Sequence, residues 1–334
     1  MSMSRRTLLG GAMLAAGGLS ARGIEPAFAN GAANYPSQRI TMIAPFAAGG
    51  PADMLCRRLG ASIAAACNQT VVIENKAGAG GVIGVDAVAK SAPDGYTLGV
   101  IVPGILIQEF LTGTPGLNVE RNLTSISLVV KNPKVIVTNS DVPASTLKEL
   151  IDLARKDPAR YGSYGTSGFG SRAHLAMAEI NDKAKTKFVH VPYRGGSAVM
   201  PDLLSGQLPI GVLEVGSVVP YMNTGKIRII ATTGLVRSPA FPDVPTVAET
   251  FPGFQAEEWY GLVGPAGLPS DIVTKINGEV KRWVGSTDAT KYSETVNAEL
   301  IGSSPDKLRE FIASERAYFG KLIADLNLKS EMAR

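Results

Sequence analysis

The chain is poor in the residues that build metal and redox centres. Among 334 residues there are two cysteines and two histidines. Zinc-type sites draw three or four such side chains together at short spacing. Cys56, Cys67, His174 and His190 are too few and too scattered for that, so no metal and no cofactor is expected. The two cysteines also make no disulfide. Both fall on one apparent helix, where eleven residues rise about 16 Å, and a disulfide needs Cα atoms within about 7 Å. They read as free, largely buried thiols on one helix face.

Charge of one sign is also lacking. The formal net charge is +4 over the whole chain, and there are no basic runs, which excludes nucleic acid or an anionic membrane as the expected partner. Long uncharged apolar runs are missing too. The longest, Leu8 to Leu19, has twelve residues, whereas a membrane-spanning helix needs roughly 20. Phosphate-loop and dinucleotide fingerprints are absent. Gly78-Ala79-Gly80-Gly81-Val82-Ile83-Gly84 would need glycine at Ile83, and no Gly-Lys-Ser/Thr follows; this run reads as a structural turn at the rim of a cleft.

What is present begins with an export address. Arg5 and Arg6 form a basic start, Leu8 to Leu19 an apolar stretch, and Ala27-Phe28-Ala29 a small-residue cleavage motif. Cleavage is expected after Ala29, so residues 1–29 are a signal peptide and the mature protein is periplasmic. The Arg pair fits twin-arginine export, and an ordinary secretory route fits almost as well. Losing Arg5, Arg6, Arg22 and Glu25 with the leader takes the net charge from +4 to +2.

The mature chain alternates β-branched runs with helical patterns, which predicts an α/β protein with mostly parallel sheets. Strands are expected at 40–45, 70–74, 96–102 and 125–130, then at 161–165, 188–191, 208–213, 227–233 and 259–263. A helix is expected from Pro51 to Cys67 with Leu55, Leu59, Ile63 and Ala66 on one face. Thr146 with Glu149, and Thr246 with Glu249, have capping-box spacing. A final helix from Pro305 carries Leu308, Phe311, Ile312, Phe319, Leu322, Ile323 and Leu326 at helical spacing. Two crossovers, near 131–138 and 254–260, divide the chain into residues 30–130 with 257–334 and residues 131–256, a hinged clamshell.

Two segments carry chemistry, and both have the form strand, glycine-rich turn, helix start. The first is Pro45-Phe46-Ala47-Ala48-Gly49-Gly50-Pro51-Ala52-Asp53; the second is Gly165-Thr166-Ser167-Gly168-Phe169-Gly170-Ser171-Arg172-Ala173-His174. Glycine lets a ligand approach the peptide groups, and a helix N-terminus offers unpaired N–H donors and a positive dipole end. Each turn can hold an anion without an arginine; each alone could equally be a plain strand-to-helix turn.

Together with Val72 to Gly81, Ala92-Pro93-Asp94-Gly95-Tyr96-Thr97-Leu98, Val189-His190-Val191-Pro192-Tyr193-Arg194-Gly195, Pro242 to Glu249 and Gly264-Pro265-Ala266-Gly267-Leu268-Pro269, these turns resemble the solute receptors of tripartite tricarboxylate transporters. This is the Bug, or TctC-like, family, and the resemblance covers the mature chain. It implies a two-domain, type II periplasmic binding protein-like clamshell that is a monomer and not an enzyme. Such a receptor closes over a small carboxylate and serves membrane transporter subunits or a sensor kinase. It also implies that backbone amides of the two loops hold the carboxylate, with waters as bridges. The expected ligand contacts are Phe46, Ala47, Ala48, Gly49, Gly50 and Asp53 from the first segment. Thr166, Ser167, Gly168, Ser171, His174, Arg194 and Glu214 are expected from the second half.

Three places depart from the family pattern. Gly206-Gln207 leads to Leu213-Glu214, where such receptors commonly carry Asp-Asn. Arg172 stands where small polar residues are common, and Gln108-Glu109-Phe110 is unusual. Glu214 either accepts a donor from the ligand's far end or is scaffold, satisfied by Arg172, Arg194 or a backbone amide. A hydrolase using Ser171 and His174 is the alternative from another class; no Gly-x-Ser-x-Gly elbow supports it.

Overall fold

The computed structural model describes residues 34–113 and 116–329; the leader and its cleavage site lie outside them. The strands are β1 (Ile40–Ala44), β2 (Val71–Asn75), β3 (Thr97–Ile101), β4 (Leu123–Asn139), β5 (Ser163–Thr166), β6 (Val189–Pro192), β7 (Ile210–Glu214), β8 (Ile227–Thr232), β9 (Glu257–Pro265) and β10 (Glu299–Leu300). The described helices of eight residues or more are α1 (Pro51–Cys67), α2 (Val82–Ala89), α3 (Pro103–Leu111), α4 (Leu147–Lys156), α5 (Arg172–Ala184), α6 (Ser270–Val284), α7 (Thr287–Val296) and α8 (Pro305–Asp325).

β1 pairs in parallel with β2 and β3, and β5 pairs in parallel with β6 and β7. These are the two halves of the clamshell. They are joined by β4, which the sequence reading splits at residue 131 but which is one 17-residue strand. Its first part lies antiparallel to β9, and its second part antiparallel to β7 and β8. Register shifts between Ser125 and Ser127, and between Leu128 and Val130, add the local twist of β-bulges, so one strand can serve two differently oriented sheets.

Side-chain alternation puts a core on each face of the second half. Ile136, Ile210, Val212 and Ile230 pack into one cluster, whereas Val135, Val137 and Leu213 pack with Val199 and Leu203 into another. The first half has a single large core around Ile40, Met42, Leu98, Leu262 and Trp283. Leu308, Ile312, Phe319 and Ile323 of α8 are buried in it at the expected spacing. Cys56 and Cys67 share α1 and are free, Cys56 buried and Cys67 partly so.

The parallel strands place their C-terminal ends in two rows. In the first half these lead into the turns at 45–50 and 76–81 and the start of α3. In the second they lead into 167–171, 193–196 and 215–217. Ligands of open α/β sheets bind beyond the carboxyl ends of such strands.

Candidate functional site

Each of the two glycine turns is braced by side chains from within it and from a neighbouring strand. α1 starts at Pro51, where a missing N–H costs nothing, after an N-cap glycine that supplies no side-chain acceptor. Gly49 sits at φ +80°, a left-handed conformation that disfavours a Cβ. Its N–H donates to Asp53 Oδ2 at 2.9 Å, and the same oxygen receives Arg57 Nε at 2.9 Å. Asn75 Nδ2 donates to Asp53 Oδ1 at 2.9 Å and to the Phe46 carbonyl at 3.0 Å. Burial alone would raise the Asp53 carboxyl; the bonds from Arg57, Gly49 and Asn75 outweigh it and hold the group below the usual range. Asp53, expected among the ligand contacts, has both oxygens bonded to protein donors. It braces the turn and takes the Gly49 amide with it. The N–H groups of Ala47, Ala48, Ala52 and Asp53 have no acceptor among the described residues.

The second loop closes on Thr166. Thr166 Oγ1 accepts from the Gly168 N–H at 3.2 Å and from Ser171 Oγ at 3.3 Å, and lies 2.7 Å from His190 Nε2. Ser171 caps α5 by accepting the His174 main-chain N–H at 3.2 Å. The Gly170 N–H donates to His174 Nδ1 at 3.3 Å. With the Gly168 and Gly170 amides committed, those of Ser167, Phe169, Arg172 and Ala173 remain without an acceptor among the described residues. Ser167 is exposed and Phe169 half-buried on the turn, whereas Arg172 and Ala173, in the first turn of α5, are buried.

The second loop meets the first half through Gln108, which the sequence marks only as unusual. Gln108 Nε2 donates to the Phe169 carbonyl at 3.2 Å. Its side chain also lies where Cβ atoms on Gly80 and Gly170 would fall, at 3.0 Å and 2.5 Å. Gly80 follows β2, and its neighbour Gly81 lies against the Phe46 ring. The chain of contacts therefore runs from Phe46 through Gly81, Gly80 and Gln108 to Phe169 and Gly170, across both halves. Further contacts between the halves are Tyr318 Oη to Glu179 at 2.8 Å and Ser238 Oγ to Asn297 at 2.6 Å.

Glu214 ends β7, with a side chain 20% exposed. Its partner is none of the three candidates drawn from the sequence. Lys134 Nζ, on a side chain only 2% exposed, lies 3.6 Å from Glu214 and 2.7 Å from Glu258. Tyr260 Oη donates to Glu214 Oε2 at 3.3 Å. One ammonium thus serves two carboxylates where β4, β7 and β9 come together. Burial would lower the Lys134 ammonium, but Glu258 and Glu214 outweigh it and hold it above its usual range. Burial pushes the Glu214 carboxyl upward. Arg172 is itself buried; it donates to the Gln255 carbonyl and lies over the Tyr318 and Phe319 rings. Arg194 is exposed on the turn after β6. Among the described residues no group of His, Cys, Asp and Glu could hold a metal ion, and no helix is long and apolar enough to cross a membrane.

Two α/β halves joined by crossing strands, with glycine turns and helix starts beyond the C-terminal ends of their parallel strands, have the architecture of a clamshell solute-binding protein. Residues 55–328 match the model of the tripartite tricarboxylate transporter family receptor, and the chain belongs to that family of periplasmic solute receptors. It is similar to Protein BugT of Bordetella pertussis, 31% identical with 98% of this chain and 99% of that one covered. Among solved structures it resembles the periplasmic binding protein BugD (30% identity, TM-score 0.79, 88% and 99% covered). It also resembles two proteins of Rhodopseudomonas palustris. Rpa4515 with adipate is 29% identical (TM-score 0.81, 88% and 98% covered), and MatC with bound malate is 28% identical (TM-score 0.78, 86% and 100% covered).

Proposed function

We propose that this receptor captures a small organic carboxylate between residues 30–130 with 257–334 and residues 131–256, and delivers it to the membrane subunits of a tripartite tricarboxylate-type transporter. The observation that carries the reading is the pair of helix starts whose leading amides keep no acceptor among the described residues. Ala47, Ala48, Ala52 and Asp53 offer amides from one half, and Ser167, Phe169, Arg172 and Ala173 offer them from the other. Gln108, on α3 of the first half, bonds the second loop at Phe169. A carboxylate there takes charge-assisted bonds from main-chain N–H groups and two helix dipoles. Adipate and malate in the two R. palustris structures support a carboxylic acid as the ligand class. Closure follows because each half supplies part of the grip, with β4 and β9 as the hinge.

The receptor reading is favoured over a hydrolase by the hydrogen bonding of Ser171. Its oxygen accepts the His174 amide and its proton goes to Thr166 Oγ1, so it is not presented to an imidazole base. Native mass spectrometry before and after denaturation tests the proposal. One chemically intact small acid per chain, released on unfolding, is the expected result. Turnover of esters that is abolished by Ser171→Ala would overturn it.

A further inference from the structure

The only two histidines of the chain, 16 residues apart and on different elements, lie ring on ring beneath the second anion loop. The His174 and His190 centroids are 4.3 Å apart with planes at 23°. Phe169 covers His174 from the loop side at 4.7 Å, and Tyr164 underlies His190 at 5.1 Å. Tyr164, His190 and His174 therefore follow one another from β5, and Phe169 flanks the pair from the loop, 6.4 Å from His190.

Hydrogen-bond bookkeeping assigns the protonation of both imidazoles. His174 Nδ1 accepts from the Gly170 N–H at 3.3 Å, so that nitrogen is bare. Thr166 Oγ1 already accepts from Gly168 and Ser171, which uses both its lone pairs. Its own proton then goes to His190 Nε2 at 2.7 Å, in preference to the Gly168 carbonyl at 3.1 Å. Each ring acts on the loop as an acceptor, and a protonated imidazole accepts nothing at that atom.

We propose that the His174–His190 stack is the positioning device of the carboxylate loop. Two neutral imidazoles fix the Gly170 amide and the Thr166 hydroxyl, so that the Ser167, Phe169, Arg172 and Ala173 amides converge. Proton uptake at either ring turns an acceptor into a donor, dismantles the loop and releases the anion. The proposal rests on the carboxylate reading of the loop. His174, expected to touch the ligand, acts through Gly170 instead.

Few charged groups face the stack. Tyr164 comes from β5, and α3 contributes the uncharged Gln108. Arg172, next to the loop on α5, is turned to Gln255 and the α8 rings, and Glu214 at the end of β7 is turned to Lys134 and Tyr260. On the turn after β6, Tyr193 bonds Asp202 and Arg194 is exposed. Burial pushes His174 down to about 4, and burial with the neighbouring imidazole pushes His190 down to about 3.

With two histidines in the chain, imidazole NMR is free of overlap. In the protein without added ligand both rings should titrate well below the ordinary value of about 6.5. The Gly170 amide resonance should move with His174. Ordinary titration near that value, or a Gly170 signal indifferent to it, overturns the proposal whatever the ligand is. Malate and adipate serve as binding probes. His174→Ala should weaken either by roughly tenfold or more. His174→Asn, whose amide oxygen replaces Nδ1, should recover much of that loss. The double variant His174→Asn/His190→Gln should lose the acid limb of the affinity profile, and an unchanged acid limb would refute the device. If neither acid binds at neutral pH, the carboxylate reading is at fault, and the imidazole titration still decides the positioning role.

Discussion

Gln108 Nε2 lies 3.2 Å from the carbonyl oxygen of Phe169, so an amide on α3 of one half is bonded to the anion loop of the other. The contact fits because Gly80 and Gly170 leave no Cβ in the space that the Gln108 side chain fills. It is a neutral hydrogen bond between the two halves, worth about 0.5–1.5 kcal/mol.

Gln108→Ala should therefore shift the ligand-free protein toward an open form. Solution scattering should give a larger radius of gyration than wild type. Affinity for the bound acid should fall by roughly twofold to tenfold, as that hydrogen-bond range implies. Equal radii and equal affinities would show that the clasp carries no weight.

The two turns should not tolerate side chains. Gly49 and Gly168 have φ of +80° and +143°, and a β-branched residue at either strains the backbone that aims the neighbouring amides. Gly49→Val and Gly168→Val should each abolish measurable binding while circular dichroism stays native. Wild-type affinity in both variants would mean that these loops are ordinary turns.

Lys134 and Glu214 should respond differently to replacement. Lys134→Met leaves Glu214 and Glu258 facing each other without a cation, and breaking a buried ion pair in this way costs about 3–5 kcal/mol. Thermal unfolding should show a correspondingly large fall in midpoint, partly restored by adding Glu258→Gln. Glu214→Gln should unfold close to wild type and change selectivity instead, weakening amino or hydroxy acids and relaxing discrimination against dicarboxylates. Calorimetry on both ligand classes decides; if neither affinity moves, Glu214 belongs to the hinge scaffold.

The histidine pair also gives stability a pH dependence. The folded state holds both imidazoles below their unfolded value, so the unfolded chain binds more protons between about 6.5 and the folded values near 4 and 3. Their contribution is complete above about pH 6.5 and is lost as pH falls through that window. Glu214, raised by burial, works in the opposite direction. Urea unfolding from pH 7 to 4 should therefore show a steeper loss for wild type than for His174→Asn/His190→Gln. Parallel curves would rule out the linkage.

Export gives the simplest check. Sequencing the N-terminus of protein recovered from the periplasm should begin at Asn30-Gly31-Ala32. An uncleaved form there would refute the Ala29 site, and retention in the cytoplasm would overturn the placement.

Local signals were enough for the form of the two glycine turns. A run of glycines between a β-branched stretch and an amphipathic stretch specifies strand, turn and helix start by short-range sterics, and α1 begins at Pro51 as those rules require. Local rules could not say which amides remain open. Asp53 takes the Gly49 N–H only because Arg57 and Asn75 hold its carboxylate in place, and Asn75 arrives from another strand. Nothing local to Lys134 marks it as the centre of a buried charge cluster. Its partners, Glu214 and Glu258, lie 80 and 124 residues further on. The two histidines looked unrelated, one on a helix start and one on a strand, until the parallel pairing of β5 with β6 and the seating of α5 brought their rings together. Backbone conformation is decided by neighbours a few residues away, so the sequence by itself determined the turns, the helices and the class of fold. Pairing of buried charge, ring stacking and the clasp at Gln108 depend on which distant segments share a face, and only the tertiary structure decided those.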